Sequence, residues 1–117
     1  MKAYKLVRKK YGKLYPLFID KKHEYVIGEN RIAEFIPTKG FAPRIGFHCC
    51  FIPYAPHLKT ELANGEKRVW VECNVEDIAV YDRPESQGGK WILANQIVVT
   101  KEIDNNEVKN ILERERK

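Results

Sequence analysis

The chain has 117 residues, a formal net charge of +5, and 44% hydrophobic and 11% aromatic side chains. That length suits one domain, residues 1–117, and that composition supports a packed core, so a disordered chain is excluded. No apolar run approaches the roughly 20 residues of a membrane helix, and no membrane partner is expected. The start, MKAYKLVRKKYGKLY, lacks an apolar signal core and a small-residue cleavage site, so a chain mature from Met1 is expected. Three cysteines, two of them adjacent, fit no disulfide framework and imply reduced thiols in a cytosol.

Charge is unevenly spread. Residues 1–22 hold eight Lys or Arg against Asp20 alone, a balance of +7, and the other 95 residues sum to −2. Glu72, Glu76, Asp77, Asp82 and Glu85 crowd one stretch with only Arg83 among them. One end attracts polyanions and another repels them. A basic edge is also a common guard against edge-to-edge association, so the lysines have a structural reading as well.

In chain order, AYKLVRKKYGKLYPLFID reads as a hairpin. Gly12 suits a positive φ in the turn, and Pro16 puts the second strand at an edge or start. EYVIG reads as a strand, and ENRIAEF as one helical turn or a further strand. GFHCCFI is a buried strand stopped by Pro53 and Pro56, and LKTELANG gives a turn of helix before an Asn64-Gly65 turn. KRVWVECNV alternates, with Val69, Val71 and Cys73 on one face and Arg68, Trp70 and Glu72 on the other. EDIAVYD continues it as strand or loop, and KWILANQIVVTKEI is a long final strand. The tail is a helix that Asp104 caps with Glu107 three residues on; Val108, Ile111 and Leu112 form its apolar stripe. The fold class is α+β, mostly antiparallel sheet with a C-terminal helix in a single compact domain.

No motif carries a complete catalytic or metal signature. His48, Cys49, Cys50, His57 and Cys73 lack paired metal-ligand spacing, and adjacent cysteines on a strand face opposite ways, so no metal is expected. Ser86 lies in no nucleophile elbow, and Gly88-Gly89-Lys90 lacks the first half of a phosphate loop. Lys5, Lys9, Lys10 and Lys13, interleaved with Tyr4, Tyr11 and Tyr15, have the chemistry for backbone contact plus base stacking. There remain polar residues gathered in loops: Arg44, His48, His57, Arg83, Glu85, Ser86 and Gln87. Arg offers a planar fork for phosphate or carboxylate, and His titrates near neutrality. Two glycines suffice to turn RPESQGGKW, so its other polar residues suggest the edge of a site. Arg83 bonding Glu85 to pin the turn, and His48 as a satisfied core histidine, are the structural alternatives.

KGFAPRIGFHCC, PYAPHL, RVWVECNVED and YDRPESQGGKWILANQIVV together resemble a group of small phage- and prophage-encoded proteins over about residues 39–100. The RPESQGGKW block is the specific part. The resemblance implies a bacterial cytoplasm and an accessory role in infection and carries over no catalytic residue. The expectation set beside it is docking on a host or phage macromolecule, foremost a protein, with inhibition of a host defence system as one such role. GFHCC, then RVWVEC, then LANQIVV is similar, more loosely, to the strand order of ADP-ribosyltransferase-like domains. That similarity implies Arg44 or His48 on a phosphate or ribose and Gln96 near a late acidic position. Gln96 cannot serve as the carboxylate that stabilises an oxocarbenium-like centre, so a ligand-binding relic is implied ahead of a transferase. The leading expectation is therefore a non-enzymatic docking protein without cofactor, using Arg44, His57, Arg83, Glu85, Ser86 and Gln87. The second is a nucleotide-processing enzyme with a nucleotide or dinucleotide ligand and catalytic candidates Arg44, His48, Glu85 and Gln96. A third is nucleic-acid binding by the basic hairpin.

Overall fold

The computed structural model describes residues 1–17, 22–33, 46–58 and 67–115. In chain order these form β1 (Lys2–Lys10), β2 (Lys13–Tyr15), β3 (Asn30–Ile32), β4 (Phe47–Cys50), β5 (Lys67–Asp82), β6 (Lys90–Ile103) and the helix α1 (Asn105–Glu115). The protein is mostly antiparallel sheet with one C-terminal helix. Arg44, the helical reading of LKTELANG beyond Leu58, and residues 34–36 of ENRIAEF lie outside the described residues.

The sheet closes on itself. β1 pairs with β5 over residues 2–9, β5 with β6 along nearly its whole length, β6 with β4, and β4 returns to β1 through Tyr4 and Cys50. β2 and β3 pair with β1 and β6 respectively, and Leu14 of β2, bridged to Tyr25, joins the inner core. Closure buries both faces of β4 and much of β6, where apolar residues run consecutively, while Val71, Cys73 and Val75 of β5 still alternate with polar residues. The inner side collects Ala3, Val7, Cys49, Val71, Cys73, Val75, Ile92, Ala94, Ile97 and Val99. The outer side carries Tyr4, Leu6, Cys50, Trp70, Trp91 and Ile103, covered by Ile111 and Val108 of α1 and by Ala55 and Leu58. Cys49 and Cys50 thus enter different clusters, as neighbours on a strand must.

Two irregularities set the register. Glu72 faces Lys101 but Cys73 faces Val99, leaving Thr100 as the extra residue of a bulge, its hydroxyl donating to the Glu72 carbonyl at 2.8 Å. Further along, Asp77 takes a left-handed φ of 54° within β5. Val75 and Ile97 share the inner face, and so do Ile92 and Ala94 beyond the kink. Ile97 and Ala94 are three positions apart, with Asn95 and Gln96 between them, so the alternation of both strands shifts there by one.

One sequence expectation is overturned and two are made more definite. EYVIG is not a strand: Tyr25 makes a single bridge to Leu14, Glu29 N–H returns to Val26 C=O at 3.1 Å, and Gly28 turns the chain at φ 88°. Val26 and Ile27 are left exposed. Asn30–Ile32 resolves the choice in ENRIAEF in favour of a strand over those residues. Pro16 follows β2 instead of lying within it, and its carbonyl accepts a bond from Arg8 Nε at 2.9 Å. The long strand through EDIAVYD, the strand KWILANQIVVTKEI and the capped tail helix stand as expected; Glu107 N–H donates to Asp104 Oδ1 at 2.8 Å.

Candidate functional site

RPESQGGKW is the hairpin loop between β5 and β6. Its turn is closed by backbone hydrogen bonds, to which the Trp91 indole adds one from a side chain. Arg83 N–H donates to Gly89 C=O at 2.6 Å, and Gln87 and Gly89 N–H both reach Pro84 C=O, at 2.8 and 3.2 Å. Glu85–Gln87 make a single 3₁₀ turn, ended by Gly88 at φ 98° and Gly89 at φ 79°. Both glycines adopt the left-handed region that other residues avoid, so the pair is required by the turn.

The polar side chains are then free for other contacts. Arg83 does not bond Glu85. Its guanidinium lies 4.4 Å from the Trp91 ring centroid and 5.6 Å from that of Tyr81, the two residues that face each other across the hairpin. Such stacking holds a planar cation over an electron-rich face while leaving its edge donors outward. His57 completes the group: its Nε2 is 3.5 Å from Arg83 Nη1 and its ring sits 5.7 Å from that of Trp91. Partial burial, then the Arg83 cation, hold the His57 pKa below its ordinary value. Both causes favour the neutral imidazole, whose free ring nitrogen can accept from Arg83. Trp91 anchors the loop from beneath, donating Nε1–H to Gln87 C=O at 2.6 Å. Gly88 packs so closely against the Tyr54 carbonyl that a Cβ there would stand 3.1 Å from it. Tyr54 and Phe51 expose their rings beside this end of β4.

His48 lies on the same outer side of β4 as Cys50, with Nδ1 2.6 Å from the Tyr81 hydroxyl and the two rings edge to face. It is therefore a bonded, partly buried histidine that supports Tyr81 under Arg83. Gln96 belongs elsewhere on the sheet: it faces Ile32 of β3 and accepts from Asn30 Nδ2 at 3.4 Å. Glu85 and Ser86 are exposed in the 3₁₀ turn. No bond joins His48, Glu85 and Gln96 to one another among the described residues. Nor do those residues contain a group of three His, Cys, Asp or Glu able to hold a metal ion.

The basic hairpin is dispersed in a similar way. Lys5 lies on the inner side of β1 between Ala3 and Val7, and its ammonium donates to the His48 carbonyl at 2.8 Å. Burial works against that charge; Tyr25, Cys49, Cys73 and Cys50 favour it and leave its pKa above the ordinary value. Lys9 is 3.0 Å from a Glu102 carboxylate oxygen and Lys13 3.9 Å from Glu24, while Lys10 lies over Tyr11 at 5.6 Å.

The structure thus joins His57, Arg83 and the Gln87 backbone into one cluster, with Tyr81, Trp91 and Tyr54 as members that composition alone did not single out. Tyr81 comes to stand opposite Trp91 because the loop closes at Arg83 and Gly89; read as a two-residue turn, Gly88-Gly89 would instead have set Ser86 against Trp91. No helix among the described residues is long and apolar enough to cross a membrane. Compared with family models, curated proteins and solved structures, the chain matches none, so this cluster has to be read from its own geometry.

Proposed function

We propose that the protein is a docking module, not an enzyme, that seats an acidic group of a partner protein on Arg83. One observation carries this reading: a guanidinium laid over Trp91 and Tyr81, next to His57, with no carboxylate paired to it among the described residues. Tryptophan, tyrosine and arginine are the residues that dominate binding hot spots, because each gives much contact for little lost freedom. Exposed Tyr54 and Phe51 supply an apolar surround from which a partner would exclude water. In the phage setting that the sequence resemblance implies, the partner is a bacterial or phage protein in the cytoplasm, and docking serves to block a host defence component.

The test compares wild type with Arg83→Ala and Tyr54→Ala as baits in a bacterial lysate. Trp91 is avoided because it is buried. A partner retained by wild type and reduced by about tenfold or more with Arg83→Ala supports the reading. Equal capture by wild type and by both variants rejects it. A melting-temperature rise with a dinucleotide that Arg83→Ala abolishes would instead favour the nucleotide-ligand alternative.

A further inference from the structure

The second half of β5 offers a different surface. Residues 67–74 of β5 are paired on both sides, by β1 and β6, but residues 78–82 pair only with β6 among the described residues. The direction of the unused backbone groups follows from the hairpin. Arg83 N–H points to β6, where it meets Gly89 C=O. Alternation along a strand then turns the N–H and C=O of Asp82, Val80 and Ile78 away from β6. The other end agrees, because Val75 N–H also points away from β6, to the Met1 carbonyl at 2.8 Å. The one-residue shift at Asp77 makes Val75 and Ile78 equivalent.

The side chains make this edge more than a row of bare amides. Ile78 and Val80 face Ala94 and Ile92, which are fully buried, yet are themselves 39% and 49% exposed. The inner apolar face therefore runs out to the edge and stops there uncovered. Glu76 and Asp77 stand at one end of it, exposed and in no ion pair among the described residues, and Asp82 stands at the other, 3.1 Å from Lys90.

We infer that residues 78–82 of β5 receive an extended segment of a partner, added as a further strand with apolar side chains over Ile78 and Val80 and basic ones toward Glu76 and Asp77. Strand addition gains affinity from main-chain hydrogen bonds and specificity from alternate side chains. Charge decides between a second copy and a basic partner. The antiparallel register that sets Ile78 against Val80 of a second copy also sets Glu76 against Asp82, and like charges facing each other are destabilising. This surface adjoins the Arg83 cluster at Tyr81, but Ile78 and Val80, which face Ala94 and Ile92, stand on the opposite, inner side of the strand.

Backbone amide exchange on isotopically labelled protein tests the inference, with an acetylated, amidated heptapeptide alternating lysine and valine as probe. In the free protein the amides of Ile78 and Val80 should exchange fast and that of Ala79 slowly. The peptide should protect Ile78 and Val80, and an aspartate-valine counterpart should not. Val80→Pro removes the outward N–H, which an edge strand tolerates, and should weaken peptide binding by about tenfold or more. If that variant fails to fold, Val80→Lys, which sets a like charge against the peptide, carries the same expectation. Slow exchange of Val80 in the free protein, absence of protection by the lysine peptide, or binding unaffected by either variant would overturn the proposal. So would a concentration-dependent dimer that Val80→Lys abolishes, since the occupant would then be a second copy.

Discussion

At the level of single residues, the interior of the ring is defined by what it does to three thiols. Burial holds Cys49, Cys50 and Cys73 protonated, and pushes Cys50 up to about 12 from an ordinary value of 9.0. A thiolate, not a thiol, is the nucleophile, so the native protein should react with a disulfide reagent at pH 8 far more slowly than the urea-unfolded chain. The same shift sets a sign for stability. Between pH 9 and 12 the folded state keeps protons that the unfolded state has released, so the contribution is whole below pH 9 and lost as pH rises through that window. Lys5, also raised, acts in the same direction at higher pH. Urea midpoints should therefore fall above pH 9, and Cys50→Ala should flatten that fall; a midpoint independent of pH from 7 to 11 would contradict it. Gly46 shows a different constraint. It has φ 144°, and a Cβ would stand 2.7 Å from Leu93 Cδ1 and 3.2 Å from the Ala94 carbonyl. Gly46→Ala should cost roughly 1–3 kcal/mol, through backbone strain and overpacking together, read as a lowered urea midpoint at unchanged m-value.

Among the elements, the first hairpin is the one whose turn is at odds with its sequence. Tyr11 has φ 51° and Gly12 φ 76°, two successive left-handed residues as a type I′ turn requires. Glycine fits the second position; tyrosine, 93% exposed, is strained at the first. Tyr11→Asn should stabilise the protein by about 0.5 kcal/mol and raise its melting temperature by about 2–4 °C, because Asn tolerates this region and the exposed Lys10 contact is worth little. A lowered melting temperature would mean that Tyr11 packs against something that offsets its strain. The other elements show where the sequence could be read and where it could not. β5, β6 and α1 were legible because their patterns are long and periodic, down to Asp104 as the cap. EYVIG misled because its apolar residues are a solvent-facing turn, and local pattern does not distinguish exposed from buried. Ring closure through Tyr4 and Cys50, and the alternation shift at Asp77, depend on partners far away in the chain. The same holds for the candidate site. Arg83 and His57 could be found as polar loop residues, but the stack of Arg83 on Tyr81 and Trp91 exists only once the hairpin register is fixed.

Taken as a whole molecule, the net charge of +5 suggests polyanion binding until the charges are placed. A basic protein gains affinity for nucleic acid by releasing counterions from each phosphate it neutralises, so what matters is how many cations are free to make that contact. Of the four lysines expected to do so, Lys5 is directed inward onto the His48 carbonyl, and Lys9 and Lys13 are set against Glu102 and Glu24. Such exposed pairs are weak, yet each must be broken or bridged before its lysine can serve a phosphate. Lys10 alone of the four is neither set against a carboxylate nor directed inward onto a carbonyl among the described residues. For single strands the slope of log K against log salt is about −0.7 per phosphate contact, so four acting lysines would give roughly −2.8 and one about −0.7. Fluorescence anisotropy with a single-stranded oligonucleotide across a salt series should therefore give weak binding and a slope no steeper than about −0.7. Lys10→Glu should remove most of that dependence, and Lys5→Glu should be felt in stability instead. A slope near −2.8 would mean that the carboxylates yield their lysines to phosphate, and the basic hairpin would then replace the Arg83 end as the principal working surface.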